Sequence, residues 1–91
     1  MNRERRKELS KAITILNDAQ EKLCEARDIV EACKNEEEEC YDNLPEGVQE
    51  SERGEAMSEN VDSLDEIFNE LESAADTIEE QIDAIQEVID R

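Results

Sequence analysis

Apolar residues in the second half of the chain recur with a strict heptad period. From Met57 to Ile89 they follow one another at alternating steps of four and three residues. The a positions are Val61, Phe68, Ala75, Ile82 and Ile89, and the d positions are Met57, Leu64, Leu71, Ile78 and Ile85. A repeat of this kind, sustained over roughly 30 residues, is typical of a long helix that packs along another helix.

The first half carries the same period with a different composition. Its a column contains Leu9, Leu16, Leu23, Val30 and Glu37, and its d column contains Ala12, Ala19, Ala26, Cys33 and Cys40. An antiparallel pairing that sets Leu9 opposite Ile85 also sets Glu37 opposite Met57. All pairs in this register share a midpoint at Gly47, so the two repeats predict that the chain reverses there.

The segment between the two repeats contains the only proline and both glycines of the chain. Leu44 precedes Pro45 and is therefore disfavoured in helical conformation, and Ser51 is a suitable N-cap for a second helix. We predict one all-α domain over residues 1–91, a long antiparallel two-helix coiled-coil hairpin. Its parts are a first helix over about 3–42, an ordered turn over 43–50 and a second helix over about 51–90.

Several apolar side chains lie outside the predicted seam, along one flank of both helices. They are Ile15, Ile29, Ile67, Ala74 and Val88. An apolar stripe along a helical hairpin usually means that another helix covers it. We expect these residues to form the interface of a homodimer, an antiparallel four-helix bundle. The alternative is a monomer with a few exposed aliphatic side chains.

The chain has 28 acidic and 10 basic residues, which gives a net charge of −18. This charge argues against direct binding to nucleic acid or to anionic lipid, since both require a basic surface. A basic protein surface is the expected partner. No apolar segment approaches the roughly 20 residues of a membrane span, and the N-terminus does not resemble a signal peptide. We expect a cytoplasmic protein that makes no membrane contact.

Residue patterns of catalytic and metal sites are missing from the sequence. Without histidine, neither a Cys/His zinc site nor the Glu-x-x-His motif of di-iron bundles can form. No serine has a partnered base, and no carboxylate pair is set among apolar residues. We therefore expect no enzymatic activity, no metal and no cofactor. Reduced, structural roles are expected for Cys24, Cys33 and Cys40, with an intermolecular or redox role as the alternative.

Carboxylates follow the outer face of the second helix at steps of mostly three and four residues. The expected partner-binding acidic face consists of Glu59, Asp62, Glu66, Asp76, Glu80, Asp83 and Glu87. A hairpin of roughly 60 Å carries about one net charge per 3.3 Å, and two hairpins side by side approach the value of about one per 1.7 Å in duplex DNA. The alternative is a solvated face, as is common in coiled coils.

Residues 41–49 read YDNLPEGVQ and are followed by SERGE over residues 51–55 and by Met57. This segment resembles a signature of small acidic proteins encoded by bacteriophages and prophages, which similarly open with a basic segment and close with an acidic repeat. The resemblance implies a location in the host cytoplasm. It also implies a role as an inhibitor of a host nucleic-acid-handling or defence protein, a role in which some small acidic phage proteins imitate DNA.

Two functions are consistent with these patterns. The first is an inhibitor that occupies the nucleic-acid site of a host protein with its acidic face, by DNA mimicry. The second is a dimeric coiled-coil adaptor or structural protein that docks a partner through its loop or its apolar edge. The candidate recognition residues of the loop are Leu44, Pro45, Glu46, Val48 and Arg53, and a purely structural connection is the alternative for this segment.

Overall fold

A computed structural model describes all residues 1–91. The chain forms three helices, α1 (Arg3–Asp42), α2 (Glu46–Gln49) and α3 (Glu52–Asp90), and no strand. The long helices α1 and α3 pack side by side in an extended hairpin of 68 × 14 × 14 Å, with the short α2 at the reversal. The prediction of an all-α helical hairpin is confirmed.

Both long helices begin at a side-chain cap. The Asn2 side chain accepts a hydrogen bond from the Arg5 amide at 2.9 Å. In the same way, the Ser51 hydroxyl accepts from the Gly54 amide at 3.4 Å. Both caps have extended backbone conformation, and each satisfies one of the amides that the first helical turn leaves unpaired.

The core of the hairpin is thin. Only Gly54, Ala75 and Ile82 are buried, and all three belong to α3. The other seam residues of both long helices are partly buried, because each helix is covered on one side only. A two-helix hairpin of this length therefore removes little apolar surface from water in proportion to its size.

The seam of α1 differs from the predicted one. The predicted d column is largely exposed, namely at Ala19, Ala26, Cys33 and Cys40. A neighbouring column is partly buried in its place: Ile13, Gln20, Arg27, Lys34 and Tyr41. The prediction was wrong because long polar side chains can also occupy seam positions. In the structure their aliphatic stems lie along the seam while their polar ends reach its edge.

The register between α1 and α3 also differs from the predicted one. Asn60 Nδ2 donates to Glu37 Oε2 at 3.0 Å, where the sequence predicted Met57 opposite Glu37. At the open end, Arg6 Nη2 donates to the Arg91 carbonyl at 3.5 Å. Both contacts lie three residues later in α3 than predicted, close to one helical turn. The shift follows from the different seam of α1, and it moves the midpoint of the reversal from Gly47 to the Val48–Gln49 bond.

Candidate functional site

The loop end of the hairpin is an ordered turn. The Pro45 carbonyl accepts hydrogen bonds from the amides of Val48 and Gln49, at 2.8 and 3.0 Å, which start α2 directly after the proline. The Gln49 side chain then donates to the Tyr41 carbonyl in the last turn of α1 at 2.9 Å. Ser51 closes the turn, since its hydroxyl donates to the Val48 carbonyl. The reversal is thus fixed to both long helices.

Gly54 is the glycine that this turn requires. Its position is buried, and a Cβ atom added there would lie 2.1 Å from the Gln49 carbonyl oxygen. No such constraint acts on Gly47, where an added Cβ meets nothing within 4 Å. Neither glycine has a positive φ. The first turn of α3 therefore packs directly on the backbone of α2 through Gly54.

The candidate recognition residues of the loop divide into two groups. Pro45, Glu46 and Arg53 are exposed, whereas Leu44 and Val48 are partly buried. Arg53 is the only basic residue between Lys34 and Arg91 and lies in the first turn of α3. A partner that approaches the loop end would meet the three exposed residues first, and a binding role for all five stays a prediction.

The carboxylates predicted as a binding face lie exposed along α3, in a row that Asn69 and Ser73 interrupt between Glu66 and Asp76. We call it the acidic stripe, and all seven of its residues are exposed: Glu59, Asp62, Glu66, Asp76, Glu80, Asp83 and Glu87. None of them forms a salt bridge. The acids that do so are Glu8, Glu25, Asp28 and Asp65. The negative charge of the stripe is thus uncompensated within the chain.

Polar contacts link α1 to α3 along the side of the hairpin on which Asp65 and Glu79 lie. Gln20 Nε2 donates to the Ala75 carbonyl at 3.2 Å and to Glu79 Oε2 at 2.7 Å. Lys34 Nζ pairs with Asp65 Oδ1 at 3.3 Å. Polar residues within a coiled-coil seam restrict which register and orientation the helices adopt. Sequence analysis missed these contacts because it placed the seam one column away.

Arg27 lies between these two contacts in the same column of α1. Its Nε and Nη2 atoms both donate to Asp28 Oδ1, at 3.2 and 3.0 Å. The hydrogen bond to Asp28 raises the pKa of Arg27 above its ordinary value, against a smaller effect of desolvation. Arg27 thus pairs within α1 and forms no hydrogen bond to α3.

The opposite side of the hairpin is apolar. We call it the apolar edge, and it consists of Ile15, Ala19, Ala26, Ile29, Cys33 and Cys40 of α1 and Ile67, Ala74 and Val88 of α3. Ile15 and Ile29 are 68% and 66% exposed, and Ile67 is 45% exposed. The small residues Ala19 and Ala26 lie between these two isoleucines and α3. Both isoleucine side chains therefore project further into solvent than they would with the predicted seam. Their role in a dimer stays a prediction.

The remaining surface contains one shallow depression and three free thiols. The depression is lined by polar residues at the end of α1, namely Asn35, Glu38, Glu39, Asp42 and Asn43. No group of three or more His, Cys, Asp or Glu side chains is arranged to hold a metal ion. Cys24 is partly buried, and Cys33 and Cys40 are exposed on the apolar edge.

No protein-family model, curated protein or solved structure matches the chain. The likeness of residues 41–57 to phage-encoded acidic proteins accordingly stays a prediction. None of the helices combines the length and the apolar character needed to traverse a membrane. The acidic stripe, the loop end and the apolar edge are the surface features that bear on function.

Proposed function

We propose that this protein is a non-enzymatic acidic inhibitor that occupies the nucleic-acid site of a basic host protein by DNA mimicry. It acts as a homodimer in the cytoplasm of the host cell, in keeping with the phage-like signature of its loop. One observation carries the proposal: seven exposed carboxylates on one rigid helix, none of them in a salt bridge.

The charge density of the hairpin supports this proposal. A net charge of −18 over a length of 68 Å corresponds to one charge per about 3.8 Å. Two hairpins side by side would carry one per about 1.9 Å, against about 1.7 Å in duplex DNA. A surface that binds DNA through rows of Lys and Arg would thus meet a similar linear density of negative charge.

The rigidity of α3 adds to the effect of its charge. A helix of 39 residues holds its carboxylates at fixed spacing before the partner arrives, so little conformational entropy is lost on binding. Long-range attraction between the acidic stripe and a basic cleft also accelerates association, and salt screens this attraction. Strong salt dependence is therefore a direct consequence of the proposed mode of binding.

Affinity capture from a bacterial lysate tests the proposal with two matched variants. The first neutralises four carboxylates of the acidic stripe, by Asp76→Asn, Glu80→Gln, Asp83→Asn and Glu87→Gln. The control neutralises four exposed acids of α1, by Asp18→Asn, Glu21→Gln, Glu31→Gln and Glu38→Gln.

Basic nucleic-acid-binding proteins should be captured by the wild type and by the α1 control, and lost with the stripe variant. The same proteins should be released at about 0.5 M salt, where the screening length falls well below 8 Å. Capture that is equal for both variants, or that survives this salt concentration, would contradict the proposal.

The loop end favours a second function, that of an adaptor. Its turn is held by hydrogen bonds to both long helices, and it presents Arg53 as an isolated base. An adaptor would bind its partner through this turn, and charge changes on α3 would be tolerated. Capture that is abolished by Arg53→Glu but unaffected in the stripe variant would support the adaptor and exclude the inhibitor.

A further inference from the structure

One long face of this highly acidic molecule is almost free of net charge. It comprises four columns of residues spaced seven apart. They start at residues 5 and 8 in α1 and at residues 53 and 56 in α3, and they include every residue of the apolar edge. The bases on this face are Arg5, Lys22, Arg53 and Arg91, and the acids are Glu8, Glu36 and Glu70. Four bases against three acids give a net charge of +1, while the whole chain carries −18. Two copies can therefore approach each other on this face without strong repulsion.

The same face carries the apolar surface that the hairpin leaves uncovered. Ile15, Ile29 and Ile67 are the most exposed large hydrophobic side chains outside the N-terminal methionine. The neighbouring column of α1 is small, namely Ala19, Ala26, Cys33 and Cys40, while Lys22 lies between Ile15 and Ile29. Helices that meet through small side chains approach to about 8 Å. Since the hairpin alone buries only three of its 91 residues, a second hairpin on this face would supply the missing half of a core.

The face is large enough for a stable dimer. A surface of 68 by 14 Å offers roughly 950 Å² per copy, above the value of about 800 Å² per partner in interfaces of standard size. A shorter helical segment would leave part of this length uncovered, whereas a second hairpin matches it from end to end. The area and the shape therefore favour a second copy of the chain as the occupant.

We propose that two copies pack side by side through the apolar edge with their loops at opposite ends. This inference rests on the homodimer of the proposed function and adds its orientation. The loop end, residues 36–62, carries eleven acids and one base. The open end, residues 1–11 with 85–91, carries six bases and four acids. With opposed loops, each end of the dimer places the loop end of one copy, with a net charge of −10, beside the open end of the other copy, with a net charge of +2.

The alternative orientation places the two loop ends next to each other. Adjacent helices lie about 8–10 Å apart, close to the screening length of about 8 Å at physiological salt. Two ends of −10 each would then repel one another at a distance where salt does not remove the repulsion. This electrostatic difference selects the arrangement with opposed loops.

Side-chain sizes along the edge agree with opposed loops. With a rise of 1.5 Å per residue, Ile15 lies about 45 Å from the loop end of its own hairpin. The partner's Cys33 lies about 18 Å from the other loop end, so in a hairpin of 68 Å the two residues come to within about 5 Å of the same level. Ile15 thus faces a small residue, as interdigitated packing requires.

Electron–electron distance measurement between spin labels tests the orientation. The three cysteines are replaced by alanine, and a single label is attached through Gly47→Cys, where a side chain meets no other atom within 4 Å. Opposed loops predict a distance between labels of about 60 Å, the length of a 40-residue helix. A label on Ser73→Cys, exposed near the middle of α3, should give less than about 35 Å in either orientation, because neighbouring helix axes are about 10 Å apart.

A long distance at position 47 together with a short one at position 73 supports the proposal. Short distances at both positions would overturn the orientation while retaining the dimer. The absence of any intermolecular distance at position 73 would overturn the dimer itself. Capture of basic proteins by the acidic stripe is measured separately, so failure of the inhibitor function is distinguishable from failure of this inference.

Sedimentation of unlabelled protein provides the second measurement. Ile29→Glu with Ile67→Glu places two charges on the apolar edge and should raise the dimer dissociation constant at least 100-fold. The control, Ala32→Glu with Ser73→Glu, adds the same charges at exposed positions outside the edge and should sediment as the wild type does. A dimer that persists in the first variant, or a wild type that is already monomeric, would overturn the proposal.

Discussion

Gly54 is the residue on which the geometry of the loop end depends most directly. Replacement by alanine places a methyl group 2.1 Å from the Gln49 carbonyl oxygen. The methyl carbon is attached directly to the backbone of α3 and the oxygen belongs to the backbone of α2, so either α2 or the first turn of α3 must move. We expect Gly54→Ala to lower the free energy of unfolding by about 1–3 kcal/mol, the usual effect of overpacking, measured by urea unfolding followed by circular dichroism.

Gly47 provides the matched control for this substitution. It lies within α2, has a negative φ, and has open space where a side chain would project. Gly47→Ala should therefore leave stability unchanged or increase it by about 0.4–1 kcal/mol, because it restricts the unfolded chain. Equal destabilisation by both substitutions would show that the contact between Gly54 and α2 does not form.

At the scale of the helical elements, the seam of α1 contains polar residues that limit stability. Lys34 pairs with Asp65 at 3.3 Å, with 22% of its side chain exposed. Polar residues at such positions favour one register at a cost in stability. We expect Lys34→Leu to raise the free energy of unfolding by about 1 kcal/mol. Apolar contact along the seam replaces an ion pair that contributes only about 0–1 kcal/mol, and Asp65, which is 54% exposed, stays solvated.

Lys11→Leu is the control for this element. Lys11 pairs only with Glu8 on the same helix, and its side chain is 61% exposed. Its replacement should change the free energy of unfolding by less than about 0.5 kcal/mol. A loss of stability of about 1 kcal/mol in Lys34→Leu would show that the ion pair with Asp65 contributes more than apolar contact does at this position.

The two long helices differ in how far the sequence predicts them. In α3 every a and d position is apolar, so the observed burial of Ala75 and Ile82 follows from the repeat alone. In α1 two adjacent columns compete for the seam, one of small residues and one that contains Gln20 and Lys34. Local composition favours the first column, whereas the acidic flank of α3 favours the second. The register depends on this interaction between helices and could not be derived from either helix alone.

At the scale of the whole molecule, repulsion between acidic groups opposes folding. The hairpin carries a net charge of −18 and forms four salt bridges. Each salt bridge has at least one largely exposed partner. Exposed pairs contribute only about 0–1 kcal/mol each, so repulsion dominates. Added salt should therefore stabilise the protein. Relief of about 1 kcal/mol raises the melting temperature of a domain of this size by about 4–8 °C.

Thermal melts between about 0.01 and 0.5 M sodium chloride measure this effect, since the screening length falls from roughly 30 Å to a few ångströms over that range. The protein with four neutralised carboxylates in the acidic stripe should show a smaller shift, because less repulsion remains to be screened. A melting temperature that falls with salt would mean that favourable ion pairs outweigh the repulsion, contrary to the geometry of the surface.

Competition with duplex DNA shows whether the acidic stripe occupies the nucleic-acid site of its partner. A protein captured by the wild type is titrated with duplex DNA, and the fraction that stays bound to the hairpin is measured. Complete displacement is expected, with a midpoint that shifts to higher DNA concentration in proportion to the amount of hairpin. Simultaneous binding of DNA and hairpin to the captured protein would show that the hairpin does not occupy the nucleic-acid site.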